Sequence, residues 1–260
     1  MTHQIRFTDG AGYERYMGKW SQLAGRAFLD WLAPAADQRW LDVGCGNGAF
    51  TEMLVERCAP ASIRGIDPSE AQIAFARTRP AARLAQFQQG NAMALPFEND
   101  EFDAAVMPLV IAFVPEPAKG VAEMARVVRP GGIVAAYMWD QPGGGMPYDA
   151  LVVELQAMGV AVPQPPSIDA SRLDVQRALW AGAGLVDVET REIAVERTFA
   201  NFDDYWTTVR LGPSVGPPLA AMADDDLARL ERRMRDVLSS DATGQITYGA
   251  RANAVKGRVP

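Results

Sequence analysis

The chain has 260 residues, 48% hydrophobic and 22% charged, with a formal net charge of −7; this is a globular composition, long enough to bury a substantial core. Its two cysteines (Cys45, Cys58) and one histidine (His3) exclude a disulfide framework or four-ligand zinc site and disfavour Ser–His or Cys–His catalysis, so no metal is expected. The acidic balance and the absence of a Lys/Arg cluster speak against nucleic acid, and with no long apolar run and no apolar leader the expectation is a cytoplasmic protein that does not engage a membrane.

The first predicted element is an N-terminal helical stretch. Tyr13, Tyr16, Met17, Trp20, Leu23, Ala24, Ala27, Phe28 and Trp31 recur at helical spacing. Gly12, Gly18 and Gly25 weaken that pattern, so two short helices are expected, with Ser21 capping the second and Pro34 beyond its end. From Arg39 the period changes. Strands at 39–43, 62–66, 84–89, 102–107 and 133–139 alternate with helices at 49–58, 70–79 and 118–128. Such alternation implies right-handed βαβ units around a parallel sheet, and the near-continuous apolar strands imply helices on both faces. Arg129-Pro130-Gly131-Gly132 is expected to stop the third of these helices. The second half reads as a loop at 141–145, a helix at 148–158, a helix capped by Ser171 or Asp169, a sixth strand at 184–195, a helical stretch at 201–239 and strand-like residues at 246–259.

The chemistry-bearing segment is Asp42-Val43-Gly44-Cys45-Gly46-Asn47-Gly48, between the first strand and its helix. Glycines there permit positive φ and remove the Cβ that would block a ligand, while the helix N-terminus behind them presents N–H groups. Asp67, ending the next strand, can accept both hydroxyls of an adenosine ribose. Together these features predict a nucleoside-containing cofactor at the switch point of an α/β sheet. Gly44-x-Gly46-x-x-Ala49 also fits a dinucleotide fingerprint, so an NAD(P)-dependent oxidoreductase is one reading. Against it, Asp42 places negative charge where a pyrophosphate would sit, and no His, Lys or Ser–Tyr–Lys set offers hydride chemistry.

Leu41-Asp42-Val43-Gly44-Cys45-Gly46-Asn47-Gly48 resembles the first motif of the class I S-adenosylmethionine-dependent methyltransferases. Three further segments resemble that family in register: Gly65-Ile66-Asp67-Pro68-Ser69, the stretch from Gln89 to Phe97 with Phe102-Asp103, and Glu123 to Gly132. The resemblance covers about residues 39–139, and segments flanking it are similar to a small-molecule subgroup. It implies a Rossmann-like, doubly wound, seven-stranded and mostly parallel sheet with a helical cap, the last two strands lying antiparallel beside five parallel ones. It implies S-adenosylmethionine as cofactor, with Asp42 organising the loop and facing the methionine ammonium. Gly44, Cys45 and Gly46 would admit the cofactor to the backbone, Asp67 would hold the ribose and Pro68 would pack on adenine. Asn91, where the family commonly has Asp, and Ala92 would meet the adenine edge. Met107 and Pro108 would border the methionine part.

The implied reaction is methyl transfer to a small-molecule acceptor; a non-catalytic cofactor-binding protein of the same fold is a further alternative. Aligning donor and acceptor supplies much of the rate, so no catalytic base is assigned, although Asp140 and Tyr148 are candidates. Tyr13, Tyr16, Trp20, Trp139, Tyr205 and Trp206 are candidate walls of the acceptor pocket. Met107-Pro108-Leu109-Val110 lacks the Asn/Asp-Pro-Pro-aromatic segment of base-methylating enzymes. The expected organisation is an N-terminal helical cap segment (1–38), a cofactor-binding core (39–195), a helical insert over the active site (196–244) and a final core strand (245–260). The sequence carries no signal of oligomeric state.

Overall fold

The apolar segments pair into one seven-stranded sheet. In the computed structural model, which describes residues 14–260 and side chains from residue 16 onward, the strands are β1 (Arg39–Val43), β2 (Ser62–Asp67), β3 (Ala85–Gln89), β4 (Phe102–Pro108), β5 (Val128–Trp139), β6 (Val186–Phe199) and β7 (Ile246–Arg258). Their spatial order is β3-β2-β1-β4-β5-β7-β6. Strands β1 to β5 pair in parallel, and β7 pairs antiparallel with both β5 and β6. Thus β6 runs in the sense of the first five and β7 alone opposes its neighbours. This corrects the expectation that both last strands oppose the rest. A crossover through two helices brings β6 back in the direction of β5, leaving one slot that β7 fills in reverse.

The helices are α1 (Lys19–Leu32), α2 (Ala49–Cys58), α3 (Glu70–Ala76), α4 (Pro117–Val127), α5 (Asp149–Ala157), α6 (Leu173–Gly182), α7 (Phe202–Val209), α8 (Gly216–Ala220) and α9 (Asp224–Val237). Side-chain alternation along the strands divides the core in two. Trp40, Val106, Ala135, Tyr137 and Ala254 face one layer with Phe28 and Leu54. Leu41, Ala105, Met107, Val134 and Ala136 face the other with Val121, Met124 and Trp180. Trp180 buries its indole without orphaning its N–H, which donates to the Val134 carbonyl at 2.8 Å. At the other end of the sheet, Asp103 accepts from the Arg39 N–H at 2.8 Å and pairs with Arg129. These bonds tie the starts of β1, β4 and β5 together and hold the Asp103 carboxyl well below its ordinary range, the Arg39 side chain being the main cause.

Several boundaries differ from the sequence reading. The N-terminal stretch is a π-helical turn at Glu14–Gly18 running directly into α1, with Gly18 at its N-cap and Ser21 inside its first turn. Gly25 does not break the helix: a Cβ there would lie 3.1 Å from the Met53 thioether, so the glycine lets α1 pack closely on α2. The apolar stripe of Trp20, Ala24, Phe28 and Leu32, all buried, outweighs the roughly 1 kcal/mol cost of that glycine. Arg129 to Gly132 end α4 as expected but do so as an irregular extension of β5 back to Val128. Neither Ser171 nor Asp169 caps α6; Arg172 occupies the N-cap and Ser171 bonds within the preceding 3₁₀ turn. Residues 196–199, assigned to the insert, are the end of β6. Three helices follow within the stretch read as helical, and α8 carries Pro217 and Pro218 in its first turn, where a missing N–H costs nothing.

Among the described residues no helix is long and apolar enough to cross a membrane.

Candidate active site

Strand order reverses between β1 and β4, and the crevice at the carboxyl ends of these strands is where such sheets bind ligands. The loop after β1 is shaped by its backbone. The N–H groups of Gly44 and Cys45 both donate to the Ile66 carbonyl, at 2.7 and 3.0 Å, folding the chain back against the end of β2. Gly44 has φ +75°, and a Cβ on it would meet the Val110 side chain at 2.4 Å. Gly46 has φ +51°, and a Cβ there would meet nothing within 4 Å, so its missing side chain leaves room rather than packing. Gly48 caps α2.

Two carboxylates flank the loop. Asp67 accepts from the N–H of Gly46 at 3.0 Å through one oxygen and from that of Ser69 at 2.8 Å through the other. Its orientation is thereby fixed, and each oxygen keeps acceptor capacity. Burial pushes its carboxyl up, against the two N–H donors. Asp42 is wholly buried; one oxygen accepts from the Thr51 hydroxyl at 2.6 Å, and the other has no partner among the described residues. Burial pushes its carboxyl up to about 7, with the Thr51 bond opposing and the nearby Asp67 charge adding. A buried carboxylate oxygen left unpaired on a cavity wall is a place for an external cation or donor.

A cavity of about 830 Å³ runs from this loop across the end of β4 to an aromatic wall. It brings together Asp42, Gly44, Cys45, Gly46, Asp67, Pro68, Asn91, Ala92 and Pro108 at one end, with Tyr16, Trp139 and Tyr148 at the other. Tyr16 and Tyr148 lie with ring centroids 5.2 Å apart, and the Tyr148 hydroxyl is 3.2 Å from Ser214 Oγ. Asn91 uses its side-chain oxygen on the Met93 N–H at 2.9 Å, so its NH₂ is the part left for a ligand. Tyr13 lies outside the described residues.

Other candidates fall outside the cavity. Met107 is one pleat away from Pro108, packs in the opposite layer near Gly120, and supports the wall from behind. Trp20 meets Trp139 and Tyr248 edge-on, at 6.5 and 6.4 Å, and so fixes the Trp139 ring without lining the cavity itself. Tyr205 packs on Phe199 and Tyr248, at 5.2 and 6.0 Å, and Trp206 stacks on Phe202 at 5.9 Å; both are core between the insert and the sheet edge. Asp140, a candidate base, is held by Arg251 at 2.6 Å and by the Gly143 N–H at 3.2 Å, closing the loop after β5.

The cavity also contains residues that sequence reasoning missed. Leu109 turns into the left-handed region at φ +59° and donates its N–H to the Tyr137 carbonyl at 2.7 Å. A strained non-glycine residue at a strand end is a common mark of a functional site, but nothing in the letters Pro-Leu-Val announces it. Asp149 is the other; an acidic residue in a helix's first turn is ordinary and gives no signal of its own.

Residues 41–136 match the family model described as a methyltransferase domain. The α/β core is similar in sequence to methyltransferase domains over these residues. Over 130 residues the chain is 35% identical to the ubiquinone/menaquinone biosynthesis C-methyltransferase UbiE of Dinoroseobacter shibae, a match covering 47% of this chain and 52% of that protein. The chain thus spans about half the length of the curated relatives it matches. Two solved structures lie close in shape. The YcgJ protein of Bacillus subtilis superposes with a TM-score of 0.60 at 18% identity, over 90% of this chain and 97% of that one. Phosphoethanolamine N-methyltransferase 2 of Haemonchus contortus, solved in complex with S-adenosyl-L-methionine, gives 0.59 at 18% identity, over 96% and 56%. At such identities these likenesses speak for the fold alone.

Proposed function

We propose that this chain transfers the methyl group of S-adenosylmethionine to a small-molecule acceptor. The observation that carries the reading is the single cavity joining an acid-flanked glycine loop to an aromatic wall. The residues present fit the cofactor. The unpaired Asp42 oxygen suits the methionine ammonium, the fixed Asp67 carboxylate suits the ribose diol, and the open space over Gly46 admits the chain between them. Pro68 would pack on adenine, Asn91 and Ala92 would meet its edge, and Gly44 and Cys45 would present backbone.

Bound there, the cofactor supplies a methyl group already activated on a sulfonium. What the chain contributes is alignment and exclusion of water. Pro108 and Leu109 border the middle of the cavity, while Tyr16, Trp139 and Tyr148 offer aromatic faces that suit a planar acceptor and a passing cation. We also propose that the N-terminal segment and the stretch between β6 and β7 cap the acceptor end, supported by Tyr16, Met17, Pro213 and Ser214 in the wall. The cytoplasm is the compartment we assign, a reading supported by two unpaired cysteines, both buried.

The test is transfer of label from methyl-labelled S-adenosylmethionine to a metabolite extract. Labelled small molecules should form with the wild-type chain and fall at least tenfold with Asp67→Ala. Label appearing only in protein or nucleic acid would contradict the small-molecule reading.

A further inference from the structure

Asp149 is a carboxylate on the cavity wall for which the reading above has no use. It opens α5 beside Tyr148 and is partly buried. Among the described residues no side-chain hydrogen bond or ion pair engages it. The nearby Arg251 is committed to Asp140. Burial therefore acts on Asp149 without compensation and raises its proton affinity. Two further polar atoms on the same wall, the Tyr16 hydroxyl and the Trp139 indole N–H, are fully buried and also lack partners among the described residues. Both atoms are enclosed by packing, the Tyr16 hydroxyl beside Gly212.

Charge narrows what would sit against Asp149. The described wall carries three carboxylates, Asp42, Asp67 and Asp149, and no Lys, Arg or His. Asp42 and Asp67 belong to the glycine-loop end, which leaves Asp149 as the charged group of the acceptor end. An anionic acceptor would meet like charge there with no cation to offset it. An aromatic molecule bearing an N–H or O–H donor would satisfy the carboxylate while its ring lies against Tyr16 and Tyr148.

We propose that Asp149 is the polar anchor of the acceptor pocket, accepting a hydrogen bond from an N–H or O–H group of an otherwise apolar aromatic acceptor and rejecting anionic ones. The proposal rests on the methyltransferase reading, which makes this end of the cavity the acceptor's. It uses the carboxylate for recognition, so its test reads binding and needs no turnover.

The experiment titrates four probes of one shape into the full chain saturated with S-adenosylhomocysteine: 2-naphthol, 2-naphthylmethylamine, 2-methoxynaphthalene and 2-naphthoate. For the wild type, at least one of the two donors should bind about tenfold tighter than the ether, and naphthoate should bind weakest. In Asp149→Asn and Asp149→Ala the donor-to-ether ratio should shrink toward one, and naphthoate should gain about tenfold relative to the ether. Each ratio is read within a single protein, so partial unfolding of a variant does not imitate the effect. Equal affinities in the wild type, no binding by either donor, or ratios unchanged in both variants would overturn the anchor. S-adenosylhomocysteine is titrated first: if it fails to bind the wild type, the methyltransferase reading falls; if it binds and Asp149 is without effect, only the anchor falls.

Discussion

Asp42 shows how one residue can be a cost to the fold and an asset to the site. Its carboxyl is pushed up to about 7 by burial, whereas in the unfolded chain it titrates near 3.8. The folded state therefore holds the proton to higher pH than the unfolded state. The stability this gives is complete below about pH 4 and is lost as pH rises through about 7. Asp42→Asn, which stays neutral, should melt close to wild type at pH 4 and about 2–8 °C higher at pH 8 in scanning calorimetry without ligand. The same variant should weaken S-adenosylhomocysteine binding, because the charge proposed to face the ammonium is gone. A variant no more stable than wild type at pH 8 would refute the burial argument. Gly44 is constrained twice, by its positive φ and by the Val110 side chain, which would lie 2.4 Å from any Cβ added there. Gly44→Ala should cost on the order of 1–3 kcal/mol in urea denaturation. Adding Val110→Ala should recover only part of that, since the backbone strain remains. The placement of both residues was legible because loop geometry is written locally in glycines and acids. Asp149 and Leu109 were not, because their roles arise from what the fold packs around them.

At the scale of elements, the sequence reads well where one local pattern dominates and poorly where packing arbitrates. The parallel strands and their helices follow from runs such as Ile133 to Trp139, whose alternate residues enter opposite layers. The aromatic stripes do not declare their purpose: Tyr16 lines the cavity while Tyr205, at similar spacing on its own helix, is core. Gly25 looks like a helix breaker until Met53 is seen against it. The insert offers a clean control. Asn201 caps α7, accepting from the Asp204 N–H at 2.9 Å, and α7 places its aromatics in the core, away from the cavity. Asn201→Ala should lower stability by about 1 kcal/mol, or about 2–4 °C in melting temperature, while leaving cofactor affinity unchanged. A loss of affinity larger than the loss of stability would mean that the insert reaches the cofactor.

Over the whole molecule, residues far apart in the chain meet around one crevice: Tyr16 from the N-terminal turn, Asp67 from β2, Trp139 from β5 and Ser214 from the insert. Ligand binding should therefore stabilise the chain as a unit. At about one hundred times its dissociation constant, S-adenosylhomocysteine should add about 2.7 kcal/mol, raising the melting temperature by about 5–10 °C. The most direct test of the account is a calorimetric titration of the wild-type chain with S-adenosylhomocysteine, with NAD and NADP run alongside. The account predicts saturable binding of S-adenosylhomocysteine at one site per chain, at least tenfold weaker in Asp67→Ala, and no heat from either nicotinamide nucleotide. Saturable binding of a nicotinamide nucleotide, with none of S-adenosylhomocysteine, would contradict it.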